Sequence, residues 1–216
     1  KSAFWVTKKR YGQWIINDGG LEVEKLDVKG LDIVRSSFPP AFRDFMTKVL
    51  KAILAKVPKD KIDEFILNFK NNLKDEELDK IALPTGVKGL NKYMDKSKGG
   101  FQSKTMFTPM KKGAPVHTKA SVIYNDLLKH FKANNHEPIS NGNKVRWVYL
   151  KQNPYNIDGL AYKGYDDPKQ IIDFINQYID RDKLFDKALS KKIKMFYDAM
   201  SWDMPVEKKN TIEKFF

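Results

Sequence analysis

The sequence predicts an α+β fold, with a small antiparallel β-sheet followed by a mainly helical region that carries a few short strands. Three observations predict it. Residues 3–35 are dense in strand-forming residues separated by turn signals, Ser36-Ser37-Phe38-Pro39-Pro40 then breaks the chain, and from Ala41 onward apolar residues recur at three- and four-residue steps. A chain of 216 residues with 41% apolar content can bury an ordinary core, as one large domain or two small ones.

The first two strands are Phe4 to Thr7 and Tyr11 to Ile16, and Asn17-Asp18-Gly19-Gly20 is a strong turn signal before a third run, Leu21 to Val28. Gly30 precedes a further extended run, Leu31 to Arg35, and Trp5 and Trp14 are expected to cover a face of this sheet. Serines that can cap and prolines suited to a first helical turn then introduce a helix over 41–57, with the stripe Phe42, Phe45, Met46, Val49, Leu50, Ile53 and Leu54. Pro58 ends it. Ile62, Phe65, Ile66, Phe69 and Leu73 predict a second helix over 60–73, packed on the first as a hairpin with Met46 and the phenylalanines in the core.

Residues 84–116 differ in kind, because glycines alternate with lysines and periodicity fades; they read as a long loop. Order returns with a helix over 117–132, whose stripe is Ala120, Ile123, Tyr124, Leu127, Leu128 and Phe131. Val145 to Leu150 reads as a strand, Pro154, Gly159 and Gly164 mark loops, and two helices over 168–179 and 181–200 close the chain.

Charge narrows the partners. Lys and Arg outnumber Asp and Glu by 40 to 27, a formal charge of +13 that concentrates polyanions. Nucleic acid is the commonest partner for such a field, and an anionic membrane surface is the rival. No apolar run approaches the roughly 18–20 residues of a spanning helix and no signal-like segment follows Lys1, so a soluble intracellular chain without a membrane partner is expected. The absence of cysteine excludes disulfides, thiolate chemistry and Cys-ligated zinc, and His117, His130 and His136 are too few for a His-rich metal centre. The chain lacks an initiator Met and opens on a strand-like run, so it is expected to be a piece of something longer.

Three groups of residues stand out as candidates for binding an anion. Lys8-Lys9-Arg10-Tyr11 sets three cations between two strands, which fits either a ribbon facing an anion or a solvated, lysine-blunted edge. The glycine–lysine stretch lets backbone approach phosphate while lysine supplies charge, although a solvated linker has the same composition. On the last helix Lys183, Lys187, Lys191 and Lys194 stack at steps of four, four and three, a row that can follow a phosphate backbone or face water. His117 starts a helix, where an imidazole can meet phosphate or serve only as a polar group.

Read together, VTKKRYG, KGLDIVRSSFP, GVKGLNKYMD and APVHTKASVIYNDLLK resemble, in order and over nearly the whole chain, the end of the palm and the thumb of a family B replicative DNA polymerase. The closest resemblance is to polymerases of T-even-like bacteriophages; residues 58–84 match only in pattern. The resemblance implies residues 1–35 as palm edge, 36–205 as thumb and 206–216 as a tail. It implies that Lys8, Lys9, Arg10 and Tyr11 lie along the minor groove of primer–template DNA. Every correct pair presents an acceptor there, so a lysine tests pair geometry without reading sequence.

It further implies that Lys92, Tyr93, His117 and Lys119 lie near the duplex backbone and that Lys187 and Lys191 fall where the thumb helix carries lysines. Lys119 stands where relatives have arginine, keeping charge without the bidentate fork. The terminal Ile212-Glu213-Lys214-Phe215-Phe216 resembles a sliding-clamp peptide with Ile212, Phe215 and Phe216 as anchors, although Lys209 replaces the glutamine of the eukaryotic peptides.

The family's Asp-Thr-Asp-Ser and Ser-Leu-Tyr-Pro elements, which position the metal-binding carboxylates, occur nowhere in this chain. The expected partners are therefore primer–template DNA, a sliding clamp and an N-terminal exonuclease, palm and fingers portion in the cytoplasm of a phage-infected host. No cofactor or catalytic residue is expected in the chain itself, with magnesium belonging to the complete polymerase. Two other classes stay open on the residues alone: a basic duplex-binding module unrelated to replication, and a metal-dependent nuclease.

Overall fold

The first three strands form where the runs of strand-forming residues placed them. In the computed structural model, which describes residues 2–95 and 106–206, β1 (Ser2–Thr7), β2 (Arg10–Asp18) and β3 (Leu21–Lys29) pair antiparallel in chain order. Lys8 and Lys9 make the first turn, and the side-chain oxygen of Asn17 closes the second by accepting the Gly20 N–H at 3.0 Å. The expected extended run over Leu31 to Arg35 is instead a 3₁₀ turn at Asp32–Val34. The Asp32 carboxylate pairs with Arg35 at 3.0 Å and Lys192 at 3.5 Å; a contact to the third residue on needs a turn and is out of reach in a strand.

Two compact units make up the chain: one gathers residues 1–35, 41–76 and 185–216, the other 36–40 and 77–184. In the first unit the sheet meets helices α1 (Pro40–Leu54) and α8 (Lys191–Ala199), and α2 (Lys59–Asn72) packs against those two helices. Phe4 points inward and meets the Phe196 ring edge-to-face at 5.2 Å, and Gly12 leaves room for Leu50, whose methyl a Cβ would crowd at 2.7 Å. Helices α1 and α2 form the expected hairpin, with the Phe45 ring stacked on Phe65 at 5.4 Å and on Phe69 at 4.1 Å. Phe65, expected in the core, lies at its rim and is 37% exposed. The Tyr197 hydroxyl is buried and donates to Asp63 at 2.6 Å, which Lys59 also approaches at 2.6 Å.

The second unit holds α3 (Leu78–Ile81), β4 (Leu83–Gly86), α4 (Leu90–Tyr93), α5 (Val116–His130), β5 (Lys144–Tyr149), β6 (Gly159–Tyr162), α6 (Lys169–Tyr178) and α7 (Arg181–Phe185). Strands β4, β5 and β6 form a second antiparallel sheet on which α5 and α6 pack. Part of the supposed 84–116 loop is thus strand and helix. Pro84 is tolerated because β4 is an edge strand, while its register against β5, with Leu83 opposite Trp147, is set by partners distant in sequence. Gly159 likewise opens a strand, not a loop: all four residues of β6 are buried, so no alternation advertises it. Among the described residues, no helix is long and apolar enough to cross a membrane.

Candidate nucleic-acid interface

The turn that carries Lys8 and Lys9 is held from behind by the end of β3. Gly30 adopts φ +69°, and a Cβ at that position would collide with the Lys9 carbonyl oxygen. Lys8, Lys9 and Arg10 are all exposed. Tyr11 faces Trp5 across β1–β2 and Lys29 across β2–β3, so the three side chains share the sheet face opposite Phe4 and Gly12. The Trp5 and Tyr11 rings lie 4.6 Å apart, and Trp5 is 54% exposed.

The two tryptophans therefore do not cover one face. Trp14, opposite Ser2 in the register, lies on the helix side, where Lys51 sits 5.7 Å over its ring. Arg10 also departs from its neighbours, directing a guanidinium nitrogen to the Met195 sulfur at 3.6 Å. The ribbon thus divides its cations: Lys8 and Lys9 in the turn, Lys29 beside the aromatic pair, and Arg10 over α8. Lys29 was not singled out by sequence, and Trp5 was read only as covering a sheet face with Trp14; the register that sets both beside Tyr11 depends on which strands pair.

On the C-terminal helical path, Asp186–Ser190 form a π-helical turn between α7 and α8. The wider i→i+5 turn brings residues four apart closer to one line than an α-turn does, so Lys187 and Lys191, both exposed, follow one another along the surface. The remaining members of the predicted row are engaged elsewhere. Lys183 lies 5.1 Å over the Tyr149 ring, and Lys194 pairs with Asp198 at 2.6 Å.

The second unit gathers a separate cationic surface. Residues 93–95 and 109–111 run antiparallel, joined by the Lys111 N–H to the Tyr93 carbonyl and the Asp95 N–H to the Pro109 carbonyl, each at 2.8 Å. This places Lys92, exposed and 5.5 Å from the Tyr93 ring, on a strip with exposed Lys111 and Lys112. Asp126, buried in α5, fixes the neighbouring chain by accepting the Thr108 N–H at 2.7 Å and its hydroxyl at 3.0 Å. The α4 helix packs on α5, which begins beside the same strip and carries Lys119 exposed and Thr118 buried. His117 is half-buried, and burial lowers its pKa, so the imidazole favours its neutral form.

Asp60, Asp63 and Glu64 line a groove of about 650 Å³ along α2. The Asp167 carboxylate closes a loop by accepting the Lys163 and Gly164 N–H groups at 2.9 and 2.7 Å. Among the described residues no group of three His, Cys, Asp or Glu is placed to hold a metal ion. Ile212, Phe215 and Phe216 lie outside the described residues.

The family model for DNA polymerase family B matches residues 1–200. No individual curated protein matches the chain.

Proposed function

Because the chain belongs to DNA polymerase family B, we propose that it is the duplex-gripping palm edge and thumb of such a polymerase, acting beside catalytic carboxylates carried elsewhere. The observation that carries this is the ribbon: Lys8 and Lys9 stand exposed in a turn whose backbone is fixed by Gly30, with Tyr11 on the adjoining face. Exposed lysines on a rigid ribbon neutralise phosphate or donate to minor-groove acceptors, and neither contact depends on sequence. Lys92, Tyr93, His117 and Lys119 in the second unit, and Lys187 and Lys191 along the C-terminal helical path, add backbone contacts. The neutral imidazole of His117 donates a hydrogen bond to a phosphate oxygen without requiring a low pH.

In this proposal the chain performs no chemistry alone. It retains the primer–template near an active site whose two magnesium ions are held by another portion of the polymerase. Ile212, Phe215 and Phe216 tether it to a sliding clamp, and it works in the manner of polymerases of T-even-like bacteriophages, in the host cytoplasm. The finer kinship rests on the sequence segments quoted above.

The test is duplex binding as a function of salt. Six or more phosphate contacts predict a loss of about three decades of affinity between roughly 50 and 200 mM salt, and affinity that scarcely responds would overturn the proposal. Primer extension gives a second test. Extension by a mixture of this chain and a family B exonuclease–palm–fingers portion should exceed extension by that portion alone.

A further inference from the structure

We infer that Trp5 and Tyr11 form a stacking platform for an unpaired nucleobase of the bound DNA, an inference that rests on the duplex-gripping function above. The indole is 54% exposed on the outward face of the N-terminal sheet. It is held 4.6 Å from the Tyr11 ring by direct cross-strand register, so an aromatic surface is kept in water with its orientation already fixed. Lys29 lies opposite Tyr11 on the same face, and Lys8 and Lys9 occupy the turn that joins the two strands.

An exposed aromatic pair rimmed by lysines is complementary to a flexible polyanion with flat apolar bases. The cations hold the backbone and the rings accept the base. A base inside a duplex already has two stacking neighbours and gains nothing from the indole. A frayed 3′ end or a single-stranded template overhang presents a free π-face, which makes it the ligand that fits.

The experiment compares the full chain with Trp5→Ala and Trp5→Phe on two DNAs, a blunt, fully paired duplex and the same duplex with a short single-stranded overhang. Trp5→Ala is expected to weaken overhang binding on the order of tenfold, to leave blunt-duplex binding unchanged and to preserve the salt slope, because stacking releases no counterions. Trp5→Phe is expected to retain most of the overhang affinity. Equal binding by Trp5→Ala and the unmodified chain on both DNAs overturns the inference and marks Trp5 as a protein-contact residue. An equal loss on both DNAs overturns it too, showing that the indole supports the ribbon's shape. Failure of the unmodified chain to bind either DNA is a different result, which overturns the duplex-gripping function itself.

Discussion

Replacing Gly30 by alanine tests whether β3 truly fixes the lysine turn, and Gly19 supplies the control. Both glycines have positive φ, +69° and +63°, but a Cβ at Gly19 meets nothing within 4 Å, whereas at Gly30 it meets the Lys9 carbonyl. The left-handed backbone costs an alanine about 1–2 kcal/mol at either site. Any gain from a less flexible unfolded chain is also common to both and cancels in the comparison. Only Gly30→Ala adds a collision with backbone, and moving backbone to relieve such crowding costs about 1–3 kcal/mol more. For a chain of this size 1 kcal/mol shifts the melting midpoint by about 2–4 °C, so Gly30→Ala should melt roughly 2–12 °C below Gly19→Ala. Thermal unfolding followed by circular dichroism measures both. Indistinguishable midpoints would refute the close approach, and with it the claim that the ribbon's lysines are held by the end of β3.

Lys9→Ala should lower the salt slope of duplex binding by about one unit, and an unchanged slope would remove Lys9 from the phosphate contacts. Tyr124, Tyr162 and Tyr197 all have raised pKa values, caused first by burial and then by neighbouring carboxylates, Asp167, Asp79 and Asp63 respectively. The unfolded chain therefore releases these protons first. The stability they contribute is complete below pH 10, the ordinary tyrosine value, and falls above it by about 1.4 kcal/mol per pH unit for each phenol. Urea titrations between pH 9 and 11 should show the fall, and Tyr197→Phe should remove one phenol's share. Asp126→Ala leaves the Thr108 N–H and hydroxyl without their acceptor, at a cost of about 1–3 kcal/mol. Hydrogen exchange should then quicken around residues 106–111.

The amphipathic helices were legible because their signal is local. The stripes Phe42 to Leu54 and Ile171 to Ile179 fall within a residue or two of the core faces they predict, since a helix satisfies its backbone within itself and needs only one apolar side. The ribbon was legible for a similar reason, as two runs of strand formers flank a polar turn. The short strands β4 and β6 were not, because a four-residue strand exists only when a partner from elsewhere in the chain supplies its hydrogen bonds. The lysine row on the last helix marks what spacing leaves out. Spacing set four cations at helical steps, but the Tyr149 ring and Asp198 engaged two of them, and spacing carries no information about such neighbours.

By itself the sequence determined the α+β class, the excess of positive charge, the cationic ribbon and the segments that mark a family B polymerase. Tertiary structure alone decided that Trp5 rather than Trp14 shares a face with Tyr11, that Lys29 joins them, and that Arg10 turns toward Met195. The division has one physical origin. Composition and periodicity belong to neighbours along the chain, whereas strand register and the identity of a side chain's partner are fixed only when distant segments compete for the same hydrogen bonds and the same buried space.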